Sequence, residues 1–133
     1  MFSDISEYLK TLAINELGLK KFIFIVSERN TSWGLTILKD YPEILKSVIF
    51  ISPKIQRITD PLVIKTYAKW MTEVDVPVLV TYNSDDKDGQ DSKKIFGFLK
   101  KVEYKEVNYA GKLWVFEHAE GFVDLLQEWV AKL

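Results

Sequence analysis

Three short, continuous apolar runs alternate with segments of helical period, and this alternation constrains the fold more than any other feature of the chain. The runs are Phe22-Ile-Phe-Ile-Val26, Ser47-Val-Ile-Phe-Ile-Ser52 and Pro77-Val-Leu-Val-Thr-Tyr82. A strand with one wet face alternates polar and apolar residues, so unbroken runs of this length predict strands covered on both faces. The segments between them predict helices. Ser3 or Asp4 caps the first, with Ile5, Leu9, Leu12 and Ala13 on one face and Gly18 at its C-terminal cap. A second runs from about 32 to 40 and stops before Pro42. Asp60-Pro61 opens a third, which runs to about Thr72.

After a polar loop over 83–90, Asp91 is expected to cap a helix over 92–101. The stretch from Val102 to Asn108 alternates polar and apolar residues, as a half-exposed edge strand does. A last helix over about 120–133 carries Phe122, Leu125, Leu126, Trp129 and Val130 on one stripe. Strands that alternate with helices imply a parallel sheet between helix layers. The expected fold is therefore α/β: a three-layer α/β/α arrangement around a small, mainly parallel sheet of about four strands. No repeat or linker divides the chain, so residues 1–133 are read as one domain.

Composition narrows the function classes. Of the 133 residues 47% are hydrophobic and 14% aromatic, enough for a filled core. Eighteen basic and 19 acidic residues leave a formal charge of −1, so no global field points to nucleic acid or an anionic membrane. The densest basic run, Lys93-Lys94 with Lys100-Lys101, is interrupted by apolar residues and flanked by Asp91, Glu103 and Glu106. It reads as the wet face of a helix. The chain has no cysteine, which excludes disulfides, thiolate nucleophiles and zinc-thiolate sites. The N-terminal stretch has acids where a signal peptide has a basic region, and no apolar run reaches the roughly 20 residues that span a bilayer. A soluble cytoplasmic protein is expected.

The tail, Asn108-Tyr-Ala-Gly-Lys-Leu-Trp-Val-Phe-Glu-His-Ala-Glu-Gly-Phe122, resembles the segment that carries the catalytic histidine in α/β-hydrolases. In that family Ala-Gly or Gly-Gly is followed by His, an apolar stretch, and Glu-His-x-Glu-x-Phe at the start of the last helix. Other pieces resemble the family in the same order. They are Leu17-Gly18-Leu19-Lys20-Lys21, Tyr41-Pro42-Glu43-Ile44 with Val48-Ile-Phe-Ile-Ser-Pro53, and Asp75-Val-Pro-Val-Leu-Val80. The resemblance covers nearly the whole chain and corresponds to the C-terminal half of the family's fold. The front half, with its oxyanion loop, is expected to be missing.

The family's Gly-x-Ser-x-Gly nucleophile elbow corresponds to Val26-Ser27-Glu28-Arg29-Asn30. Counting back from Pro42 places Glu28 at the nucleophile, with Arg29 or Ser27 in its place if the register slips by one. Asp86 matches the triad acid, with Asp85 as its register alternative, and Lys112 stands where the family has its histidine. Such a triad is degenerate, and the resemblance then implies a noncatalytic protein that acts by binding or assembly. Two alternatives stay open. One is a serine hydrolase with a rewired site, Ser27 as nucleophile and Lys112 as a base of lowered pKa. The other is a half-domain completed by a partner chain.

Each position also has a plainer reading. Glu28 and Lys112 can form an exposed ion pair or be solvated separately. Asp86 suits ordinary turn chemistry, and His118 a half-exposed position at the start of a helix. The loop bearing Asp85, Asp86, Asp88 and Asp91 lacks EF-hand spacing, so no metal is expected, and the scattered glycines offer no phosphate loop. No cofactor is implied. Trp33, Trp70, Trp114 and Trp129 read mostly as core, although Trp114 can instead line a ligand pocket at the strand ends. The run Phe22–Val26 has no Lys, Pro or charge to protect it as an edge. A homodimer built through that strand is expected.

Overall fold

The computed structural model describes residues 2–109 and 114–133. Four strands, β1 (Phe22–Ser27), β2 (Leu45–Ile51), β3 (Val78–Asn83) and β4 (Val102–Val107), form one parallel sheet in the order β1-β2-β3-β4. Helices α2 (Thr31–Asp40), α3 (Pro61–Met71), α4 (Lys87–Asp91) and α5 (Lys93–Phe96) connect consecutive strands. When strands are added in one direction, crossovers of one hand put their helices on one face. Leu35, Leu38, Met71, Ile95 and Phe96 accordingly share a core with Val26, Val48, Phe50, Val78 and Val80. Helix α1 (Phe2–Lys10) packs beside α2 on that face. It continues as a wider turn over Thr11–Glu16, and Gly18, at φ +68°, releases the chain toward β1.

The opposite face is covered by α6 (Trp114–Glu117) and α7 (Ala119–Lys132). Alternation along β2 and β3 sends Ile49, Ile51 and Leu79 to this side, where they pack with Trp114, Leu125 and Trp129. Three layers result. A buried polar link fixes α7 to the sheet: the Trp129 indole donates to Ser47 Oγ at 2.8 Å, and that hydroxyl donates to the Pro77 carbonyl at 2.8 Å. Both groups are satisfied away from water, so the contact specifies position without an orphaned donor. On the other face Gly34 brings α2 close to the strands. A Cβ there would lie 2.6 Å from the Phe50 ring and 2.8 Å from Val26 Cγ2.

The structure corrects four expectations. The helix expected over 92–101 is confined to α5, ending at Phe96, and α4 forms before it in the stretch expected as a polar loop. Asp86, not Asp91, is the cap: Asp86 Oδ1 accepts from the Gly89 amide at 3.1 Å, and Asp91 ends α4. Gly89 lies against Tyr82, and Ser92 turns back to donate to the Gly89 carbonyl at 2.5 Å, which separates the two short helices. Strand β1 is not covered on both faces, because only Val26 is buried and Ile25 is 44% exposed at the sheet margin. Among the tryptophans, Trp114 and Trp129 are core, Trp70 is half-buried and Trp33 is 38% exposed. Finally, α6 forms where the sequence showed only an apolar stretch. As expected, β4 is a half-exposed edge.

Candidate functional site

The carboxyl ends of parallel strands gather the loops that follow them, and the register aligns those ends here. Ser27, Ile51, Thr81 and Lys105 stand in one row across the sheet. Ser27 and Thr81 are two strands apart, about 10 Å at the usual strand spacing. Loops bearing Glu28 and Asp86 therefore leave from the same edge.

Glu28 follows β1 with φ 45° and begins the short turn Glu28–Asn30 that leads into α2. A side chain in the left-handed region costs about 1–2 kcal/mol, so the surrounding structure must hold the turn. Thr31, itself buried, donates to the Glu28 carbonyl at 2.5 Å and accepts from the Lys54 amide at 3.1 Å. The loop after β2 is thus tied to the turn after β1. The Glu28 side chain is exposed. Ser27, the last residue of β1, has ordinary extended backbone (φ −136°, ψ 149°) and is also exposed. Asn30, expected at a family glycine position, has a φ of −86°, which needs no glycine. Ser52, directly after β2, is a second non-glycine residue at positive φ on this edge.

Asp86 is half-buried beyond the end of β3, where its carboxylate caps α4. Burial pushes its pKa above the ordinary value; hydrogen bonds from the Gly89 and Asp88 amides act in the opposite sense, while Asp88 and Asp85 add to the rise. Asp85 is exposed and accepts from Asn83 Nδ2 at 2.6 Å. The carboxylate that caps a helix and the one bound to an amide are both engaged by their own loop.

Sequence reasoning missed Asn83. This buried residue ends β3, and its side chain pairs with the Tyr109 peptide through both amide atoms, tying the loop after β4 to the end of β3. Tyr109 stacks on His118 at 4.2 Å between ring centroids and lies 5.8 Å from the Trp114 ring. His118 immediately precedes α7 and makes no side-chain capping bond. An asparagine at a strand end, before Ser-Asp-Asp, was the available signal. Lys112 lies outside the described residues. Trp114 is 1% exposed and points its indole Nε1 toward Ser52 Oγ at 3.4 Å, which makes it part of the second core.

An open cleft of about 590 Å³ lies at the other end of the sheet, against the amino ends of β2 and β3. Lys21, Lys39, Lys46, Trp70, Glu73 and Asp75 are among its lining residues. Its charges are of both signs, and it is remote from Glu28 and Asp86. Among the described residues, no three carboxylate or imidazole side chains converge to hold a metal ion, and no helix is long and apolar enough to cross a membrane.

No protein-family model and no curated protein matches the sequence. Solved structures do match its fold. An α/β-hydrolase enzyme from the metagenome of lagoon sediments at Mar Chica, Morocco, aligns with 98% of this chain over 70% of its own length, at TM-score 0.78 and 18% identity. A predicted CIB-like hydrolase from Thermoplasma acidophilum aligns with 100% of the chain over 61% of its own, at TM-score 0.79 and 14% identity. Carboxylesterase CesB from Bacillus subtilis aligns with 100% over 67%, at TM-score 0.77 and 14% identity. The chain spans 61–70% of the length of these three structures. Over that span it has the α/β-hydrolase fold.

Proposed function

We propose that this chain is a noncatalytic protein of α/β-hydrolase fold that acts by binding or assembly. The observation that carries the reading is the backbone at Glu28. The left-handed turn after β1 is where the fold presents a nucleophile, and the residue in that turn is a glutamate. Acyl transfer needs a nucleophile activated by a neighbouring base whose pKa is near neutrality. A carboxylate cannot take the serine's part by the same mechanism. An unperturbed lysine, with a pKa of about 10.4, is protonated at neutral pH and offers no base, and Lys112 stands at the position matching the histidine. The lack of cysteine fits a reducing, cytoplasmic setting.

Ser27 favours a second reading, because it is exposed at the strand end one residue before the turn. In that reading Ser27 is the nucleophile of a rewired hydrolase and Lys112 its base. A half-domain completed by another chain is a third. Incubation with a fluorophosphonate probe and with short-chain p-nitrophenyl esters separates the first two. No labelling and no turnover are expected. Stoichiometric labelling of Ser27 that disappears in Lys112→Ala would overturn the noncatalytic reading.

A further inference from the structure

The two edges of the sheet are protected very differently. At β4, Glu103, Lys105 and Glu106 are exposed, and Lys132 at the end of α7 binds Glu103 at 3.0 Å. Charged residues on an edge discourage pairing with another strand. At β1 the sequence is Phe-Ile-Phe-Ile-Val-Ser, without charge or proline. Among the described residues β1 is paired only with β2, so its outer N–H and C=O groups form a ready template.

The rotation of α7 adds apolar surface beside that template. Lys132 reaches toward β4, which fixes one flank of the helix on that side. Val123 and Val130 are seven residues apart, in one column, and fall on the opposite flank, toward β1. They are 47% and 45% exposed. Ile25 of β1 shares the α7 face of its strand with Ile23 and is the bare residue there. An open apolar strip therefore runs between the flank of α7 and the unpaired edge.

We infer that a second copy of this chain covers the strip, with the two β1 strands paired antiparallel about a twofold axis normal to the sheet. Charge selects both the occupant and the register. Chain segments enter β1 through Lys20-Lys21 and leave through Glu28-Arg29. Opposed residues of an antiparallel pair lie on the same face, so a twofold of this kind must pass through a residue pair rather than between two. Centring on Phe24 sets Ile23 opposite Ile25 of the second copy on the α7 face and Phe22 opposite Val26 on the other. Past the strand ends it brings the Lys20 bend of one copy toward the Glu28 turn of the other, once on each side of the axis. Centring on Ile25 instead brings Lys21 toward Arg29, an approach of like charges on each side that opposes pairing. The Phe24-centred sheet is continuous over eight strands, and the two α7 flanks face each other across it. Lys20 of one copy then stands beside the Glu28 turn of the other.

This assembly does not depend on the loss of catalysis, since sedimentation and the labelling assay report on different parts of the molecule. Sedimentation equilibrium of the 133-residue chain at micromolar concentration is expected to give a dimer. Ile25→Lys, at a position outside the core, is expected to give a monomer with an unchanged circular dichroism spectrum. In hydrogen exchange, the β1 amides that β2 leaves unpaired should be protected in the dimer and exchange freely in Ile25→Lys. Lys20→Glu should raise the dimer dissociation constant roughly tenfold, and Lys20→Glu with Glu28→Lys should restore it. A folded monomer, or a dimer that survives Ile25→Lys, overturns the interface. A dimer indifferent to Lys20→Glu overturns the Phe24-centred register.

Discussion

Asn83 grips the Tyr109 peptide from both sides: its Nδ2 donates to the Tyr109 carbonyl at 2.5 Å, and its Oδ1 accepts from the Tyr109 amide at 2.8 Å. The clamp joins the end of β3 to the loop after β4, just before the segment that contains Lys112. Replacement by alanine leaves two peptide groups unpaired in a half-buried setting. Asn83→Ala is therefore expected to destabilise the fold by about 2 kcal/mol, read from urea denaturation. Loss of ring stacking between Tyr109 and His118 should accompany it, visible as a shifted His118 proton resonance. An unchanged midpoint would show that the clamp is dispensable.

Glu28 carries a left-handed backbone that glycine adopts freely. Glu28→Gly removes the side chain's conflict with its own carbonyl but adds freedom to the unfolded chain. A net stabilisation of about 0.5–1 kcal/mol is expected. A natural residue less stable than its glycine variant marks a position retained for something other than folding. Destabilisation by glycine would instead mean that the Glu28 side chain contributes to the fold.

Asp86 links stability to pH through burial. Its folded pKa lies above the reference value of 3.8, with desolvation as the largest cause. As pH rises past 3.8 the unfolded chain loses this proton first, so ionisation favours the unfolded state. The contribution of Asp86 is thus greatest at low pH and falls as pH climbs through its folded pKa. Asp86→Asn keeps an N-cap acceptor and removes the titration. Stability measured from pH 3 to 6 should move in favour of the variant as pH increases. A difference that is constant across this range would remove the linkage.

Much of the architecture is written in local pattern. Continuous apolar runs mark β1, β2 and β3, and alternation marks β4 as an edge. Asp60-Pro61 opens α3 as its capping chemistry requires, with Asp60 Oδ1 accepting from the Leu62 amide at 2.9 Å. These features depend on neighbours within a few positions, so the sequence by itself determined them.

Other features depend on which distant residue lies opposite. The helix expected over 92–101 is confined to Lys93–Phe96, and a further short helix precedes it where Gly89 packs on Tyr82 of β3, a contact no local propensity encodes. Asn83 became a clamp because sheet order brings Tyr109 beside it, 26 positions away in the chain. The runs in β1 and β2 look alike as sequence, yet β2 lies inside the sheet and β1 at its margin, where Ile25 stays exposed. Apolar content states that a residue can be buried. Only the packing of helices and strands decides whether a partner reaches it, because burial is a property of the surface left after every long-range contact has formed.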